Sequence, residues 1–251
     1  WMSSREFLAD TIPQYRITFV PDHMALFLGA DLITPEDNPL STWVKPLGKE
    51  LDEIEITFDP NGRWWQRSKE CMERFHEHFR GRLMISGTHL GGGLDCLAAL
   101  RGSENLLLDL LDHPETVQEK LEAINTAMVE VRHAMSEILE SKTYGYLNRH
   151  GMYSDSITDV PQCDFSCMIS PEMFTRFQRP ALETEIEILS ARSYHLDGVD
   201  ALQHLETLCA LENIDLIQWM PGAGNYGKDW WRLYEKIDAL GKGIFFQRHA
   251  Q

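Results

Sequence analysis

His195 and Asp197 stand two residues apart in Tyr194-His195-Leu196-Asp197-Gly198. On a strand that spacing puts both side chains on one face. An imidazole and a carboxylate sharing a face at a strand end make half of a metal site or a general acid–base pair. They equally suit a histidine steadied by a carboxylate for structural reasons, and the spacing alone does not choose. Other polar residues fall at comparable places. Thr88, His89 and Asp95 follow the apolar run 83–87. Cys163 and Asp164 lie at the end of 161–165, and Gln218 and Trp219 end 215–219. Gln247, Arg248 and His249 end the run that begins at Ile244.

The elements that must carry these residues follow from the apolar pattern. Residues 161–165 predict a strand, and Ser170-Pro171 offers an N-cap and a first helical residue for a helix to about Ala191. A strand over 194–197, a helix over 199–211, a strand over 215–219, a helix over 229–240 and a strand over 244–247 come next. This alternation predicts parallel βαβ units. Toward the N-terminus the spacing predicts strands over 16–20, 53–58, 83–87 and 144–148. It predicts helices over 64–80, 97–101, 105–111 and 114–139. About eight strands in this rhythm indicate an α/β fold, a parallel (β/α)8 TIM-type barrel, with an open doubly wound sheet as the rival. In a barrel the reactive end is the C-terminal end of the strands, where the polar residues above lie.

Several motifs carry less than they first suggest. His76-Glu77-His78 lacks the spacing of a helical metal motif. On a helix residues two apart point about 200° away from each other, so a solvated face is expected. Gly91-Gly92-Gly93 is either a backbone that a ligand can approach or a flexible loop, and it does not match a dinucleotide fingerprint. Pro221-Gly222-Ala223-Gly224 reads as a turn. Trp64-Trp65 and Trp230-Trp231 suit helix anchoring more than substrate stacking.

Composition narrows the function classes. The chain has 251 residues, 43% of them hydrophobic, which is ample for one large barrel domain over 1–251. Lys and Arg number 23 against 39 Asp and Glu, a net charge of −16. Such a field disfavours nucleic acid and anionic membranes as partners. No apolar run reaches the roughly 20 residues of a membrane span, and no signal-peptide pattern opens the chain. Five cysteines (Cys71, Cys96, Cys163, Cys167 and Cys209) without a CxxC pair suggest reduced thiols and a cytoplasmic setting.

The segments YHLDG, QCDFSCMISPEMF, LRGSENLLLDLLDHPE and IQWMPGAG together resemble the uroporphyrinogen decarboxylase superfamily. The likeness is to a branch near its corrinoid-linked methyltransferases and covers most of residues 80–247. The resemblance implies a (β/α)8 barrel. It also implies a comparison with the His-x-Cys-Gly segment whose His and Cys, with a later Cys, hold the zinc of those methyltransferases. Here the matching positions are His195, Asp197 and Gly198, so aspartate replaces the cysteine. Zinc accepts carboxylate oxygen, though the lost sulfur also admits a harder metal. The later cysteine has no counterpart, nor has the arginine-rich N-terminal segment of the decarboxylases. Relatives extend further at both ends, so the expected barrel is truncated at its termini.

The resulting expectation is an enzyme whose catalytic groups are Asp164, His195, Asp197 and Gln218. His89, Asp95, Cys163, Trp219 and Arg248 would bind substrate. His195 and Asp197, with Cys163 as a further donor, would hold zinc. The implied reaction is methyl transfer to a thiol or a small methylated substrate, with the corrinoid supplied by a partner protein. The first alternative is cofactor-free decarboxylation of a uroporphyrinogen-like acid. There Asp164 would stabilise positive charge on a protonated pyrrole and His195 would handle a proton. The second is a non-catalytic barrel that binds a small molecule. A homo-oligomer is compatible with each.

Overall fold

A computed structural model describes residues 6, 11–36, 38 and 41–246. Its first half runs through β1 (Gln14–Arg16), α1 (His23–Phe27), a hairpin of β2 (Asp31–Ile33) and β3 (Trp43–Lys45), α2 (Arg63–Phe79) and β4 (Met84–Ser86). The helices α3 (Gly93–Arg101), α4 (Ser103–Asp112), α5 (Pro114–Ile138) and α6 (Ser141–Tyr144) follow. A second hairpin, β5 (Tyr146–Leu147) with β6 (Tyr153–Ser154), leads to β7 (Thr158–Asp159). Next come a 3-10 turn (Asp164–Met168), α7 (Pro171–Met173), a π-helical turn (Phe174–Gln178) and α8 (Arg179–Glu187). Then follow β8 (Ala191–Asp197), a 3-10 stretch (Val199–His204), α9 (Leu205–Cys209), β9 (Leu216–Met220), α10 (Trp231–Ala239) and β10 (Gly243–Phe245).

The result is a mixed α/β fold whose main sheet, ordered β7-β8-β9-β10, is parallel throughout. β1 and β4 form a separate parallel pair. β8 and β9 form the buried centre of this sheet, where Tyr194, Leu196, Ile217 and Gln218 are almost fully inaccessible. Helix-containing crossover connections put the C-terminal ends of β7 to β10 on one edge, as parallel βαβ units require. Among the described residues no helix is long and apolar enough to cross a membrane.

Several expected elements change form, each for a local reason. The N-terminal strand occupies Gln14–Arg16, so it begins and ends earlier than 16–20. Residues 53–58 alternate acidic and apolar side chains yet form no strand. Ile54 is buried, and the Lys120 ammonium donates to its carbonyl at 2.6 Å, taking the place of a ladder partner. At 161–165 only one bridge forms, Gln162 beside His195. Pro161 has no N–H to extend the ladder, although its carbonyl accepts the His195 N–H at 2.9 Å. The chain then turns into 3-10 helix at Asp164. Ser170 caps as expected, accepting the Met173 N–H at 3.3 Å, but the helical segment stops at Glu187 and β8 starts at Ala191.

The run 144–148 yields a two-residue strand paired antiparallel with β6. Asn148 is the cause. Its Oδ1 accepts the N–H groups of His150 and Met152 at 3.0 and 3.1 Å, and Gly151 supplies φ +79°, so the chain reverses at once. The triple glycine also resolves in favour of packing. A Cβ on Gly93 would lie 2.5 Å from the Gln178 amide, and one on Gly92 would lie 2.8 Å from the Met128 sulfur. Finally, His76 is not solvated. Its side chain is 12% exposed and lies edge-on to Tyr144.

Candidate functional site

Four strand ends and one hairpin tip meet on the edge where β7, β8, β9 and β10 finish. β8 delivers His195 and Asp197 on one face, with Nε2 of His195 3.7 Å from Oδ2 of Asp197. In the register of β8 against β9, Gln218 lies opposite His195. The two side chains join, His195 Nδ1 to Gln218 Oε1, at 2.5 Å. With the amide oxygen as acceptor, Nδ1 is the donor of this bond and Nε2 is the ring nitrogen directed toward Asp197. That is the usual arrangement of a histidine prepared for metal. The bridge at Gln162 places Asp164, two residues on, beside the same group. One ligand atom each from Asp164, His195 and Asp197 all lie within 4.8 Å of one another. A tetrahedral site with bonds of 2.0–2.1 Å has edges of ~3.3 Å, so the three donors would have to draw closer around a bound ion.

Asp164 is held from behind. The Asp95 carboxylate, in the first turn of α3, accepts the Asp164 N–H at 2.9 Å and the Phe165 N–H at 2.8 Å. Gln162 Nε2 bridges Asp164 Oδ2 at 3.1 Å and Asp95 Oδ2 at 3.4 Å. Asp95 thus acts here as the anchor of the turn that presents Asp164. Although its carboxylate is open to solvent, Asp164 is flanked by protein, and burial together with Asp95 pushes it up to about 6. Asp22, at the N-terminus of α1, is pushed up to about 7 by burial and by the fields of Asp95 and Asp164. Three carboxylates crowd each other, and two of them hold protons toward neutral pH.

The imidazoles around them are kept neutral. Burial pushes His150 and His23 each down to about 3 and lowers His89 as well. His150 stacks on Phe245 with ring centres 4.9 Å apart and lies 6.2 Å from the His195 ring. Behind the mouth Arg132 donates to Asp159 at 2.8 Å and to Glu185 at 2.7 Å. His89 Nδ1 lies 3.9 Å from Asp159, an ion-pair distance too long for a hydrogen bond.

The structure therefore brings together Asp164, His195, Asp197 and Gln218, with Asp95 supporting them. His89 lies deeper, beside Asp159. Trp219 sits opposite Leu196 in the register, on the other face of β9 from Gln218, edge-on to Trp230 at 5.2 Å. Cys163 is buried, and burial holds its thiol well above the ordinary value, so it stays protonated rather than offering a thiolate. Arg248 lies outside the described residues. Sequence reasoning missed Asp22, Arg149, His150 and Gln162. For Arg149 and His150 the signal existed, since both directly follow a predicted strand in Asn148-Arg149-His150-Gly151.

The raised Asp22 gives a stability test. Between pH 3.8 and about 7 the folded chain binds a proton here that the unfolded chain has released. Stability from this group therefore falls as pH rises through that window and is lowest above it. Asp22→Asn is expected to gain on the order of 2 kcal/mol at pH 8, allowing for partial exposure, and nothing at pH 3. Urea titrations of both proteins across that range check it, and parallel stability profiles would refute it.

No protein-family profile matches the chain, and no curated protein matches it in sequence. Among solved structures it is similar to a methyltransferase from Methanosarcina mazei, with a TM-score of 0.67 and 12% identity. The alignment covers 91% of this chain and 62% of that one, so the chain spans less than two thirds of that protein's length. The likeness is one of fold: the α/β arrangement described above is one that a methyltransferase also uses.

Proposed function

We propose that this chain is a (β/α)8-barrel methyltransferase of the uroporphyrinogen decarboxylase superfamily, with a zinc site at the strand ends made by Asp164, His195 and Asp197. The observation that carries the reading is the cluster itself. Three donors from two adjacent segments converge within 4.8 Å, and the imidazole is oriented by Gln218 so that Nε2 faces them. The parallel strands ending on one edge, and the fold shared with a methyltransferase, support the barrel and the reaction class. Zinc bound there would act as a Lewis acid that lowers the pKa of an acceptor thiol. The chain's own residues would then do three things. Gln218 fixes the tautomer of His195, Asp95 and Gln162 hold the turn of Asp164, and His150 with Phe245 narrows the entrance. The methyl group would come from a corrinoid carried by a partner protein. That group would supply an electrophilic methyl, and the acceptor thiol held beside Asp164, His195 and Asp197 would receive it.

Dialysis against zinc followed by elemental analysis tests the site. Wild-type protein is expected to retain one zinc per chain. His195→Ala is expected to weaken retention by at least about 100-fold, because a three-donor site loses its only imidazole. Asp197→Cys is expected to tighten it, since thiolate suits zinc better than carboxylate does. Zinc-loaded protein is then mixed with methylcobalamin and 2-mercaptoethanol, and the loss of methylcobalamin is followed by absorbance. Wild-type protein that stays metal-free in excess zinc overturns the metal reading and leaves cofactor-free decarboxylation or simple binding.

A further inference from the structure

A cavity of about 290 Å³ lies between β4, β5, β7 and α5. It exists because the sheet is interrupted there: β4 pairs with β1 and β5 pairs with β6, and no ladder joins β4 to β5. Leu83, Met135, Leu139, Leu147 and Ile157 supply an apolar body. One end reaches the exposed residues Arg80, Gly81 and Arg82, and the other reaches His89, Arg149 and Asp159 near the strand ends.

The lining carries a concentration of unmet hydrogen-bonding groups. Among the described residues, buried atoms without a hydrogen-bond partner include Nε and Nη2 of Arg149, both ring nitrogens of His89, Nε of Arg132, Oγ1 of Thr88 and Nε2 of His76. All five residues line this one cavity. Leaving a buried donor unmet is costly, and more so for a charged one, so five such residues at one place call for an occupant. Arg149 sets its character. The carboxylates whose fields reach it are those of Asp159, Asp164 and Asp95; Asp159 turns to Arg132 at 2.8 Å, and Nε and Nη2 of Arg149 have no hydrogen-bond partner. A guanidinium presenting Nε and Nη2 side by side is the geometry that takes a carboxylate through two parallel bonds. The His89 imidazole, kept neutral by burial, and the Thr88 hydroxyl line the same cavity and suit the remaining oxygen lone pairs.

We propose that this cavity binds a small carboxylic acid with an apolar tail, its carboxylate on Arg149 and its tail along Leu83, Met135 and Leu139. The lining of this cavity includes none of Asp164, His195 and Asp197, so the proposal does not rest on the zinc reading, although Arg149 lies within the field of Asp164. Isothermal titration of the full chain with hexanoate, hexan-1-ol and hexylamine tests it. Hexanoate is expected to bind saturably and at least about tenfold tighter than hexan-1-ol, with hexylamine weaker still, because only the anion forms charge-assisted bonds. Arg149→Met is expected to abolish the preference for hexanoate over hexan-1-ol, and Met135→Trp to abolish binding of both by filling the tail region. His195→Ala is expected to leave hexanoate binding unchanged, which separates this site from the metal reading. No saturable hexanoate binding to folded wild-type protein overturns the proposal, as would water filling the cavity alone. Equal binding of the alcohol, or full hexanoate affinity in Arg149→Met, overturns the carboxylate assignment.

Discussion

Replacing Arg132 by methionine is expected to destabilise the folded chain by about 3–5 kcal/mol at pH 7. Arg132 and Glu185 are 6% and 5% exposed at their side chains, and Asp159 is 17% exposed. Burial, with the fields of Asp159 and Asp95, raises Glu185 against the pull of Arg132, while Asp159 is held well below the carboxylate range by His89 and Arg132 against its own burial. Without the guanidinium two carboxylates face each other with no cation bonded to them. The penalty is that of stranded charge rather than the worth of an ion pair, since intact buried pairs contribute little net stability. This distinction is measurable. Arg132→Met combined with Asp159→Asn and Glu185→Gln is expected to recover most of the loss. The single variant should also recover as pH falls. Its carboxylates have raised pKa values in the folded state, so their cost is greatest above those values and disappears when they are protonated. Urea unfolding at pH 7 and pH 4.5 gives both comparisons. A single variant within about 1 kcal/mol of wild type at pH 7 would show that water enters and screens the pair.

The parts of the fold that could be read from residues are those decided locally. Ser170 and Pro171 mark a helix start whatever surrounds them, and the β8 run is apolar enough to be central in any α/β sheet. The parts that could not be read depend on partners distant in sequence. Residues 53–58 carry a strand's alternation, yet the ammonium of Lys120 reaches the carbonyl that a neighbouring strand would have used. Residues 144–148 have strand propensity, but the Asn148 amide bends the chain back before a parallel ladder forms. His76 shares a helix with exposed His78, and only the packing of α6 decides that His76 faces inward against Tyr144.

The site divides the same way. His195, Asp197 and Gln218 could be placed together because strand period and βα rhythm fix their faces. Trp219 shows the limit of the same reasoning: one residue further along β9, the pleat sends it to the opposite face. Arg149 and His150 arrive from a hairpin tip whose direction depends on Asn148. The Arg132–Asp159–Glu185 group draws on α5, β7 and α8, which no local pattern links.

Asp95→Ala is expected to damage both stability and the metal cluster, and the two effects can be separated. Its carboxylate receives the backbone N–H groups of Asp164 and Phe165 and the side-chain amide of Gln162. Asp95 and Phe165 are buried, so water replaces these bonds poorly, and the expected loss is about 2–4 kcal/mol. The consequence for zinc follows from geometry. Asp164 has no strand of its own beneath it. It stands at the first position of a 3-10 turn whose start is tied to α3 through Asp95. Loosening that tie lets the Asp164 carboxylate leave the 4.8 Å cluster while His195 and Asp197 stay in place on β8. Zinc affinity is therefore expected to fall by about 10–100-fold, the usual cost of losing a group that orients a ligand. Asp164→Ala removes the ligand itself and gives the limit. Asp95→Asn keeps one oxygen acceptor and should fall between wild type and Asp95→Ala in both measurements. Zinc titration with a chromophoric competitor and urea unfolding of the metal-free proteins measure the two effects independently. A stability loss with unchanged zinc affinity would mean that Asp164 is not a ligand, because its backbone anchor would then be irrelevant to the metal. A zinc loss with unchanged stability would mean that Asp95 orders the turn without carrying the fold.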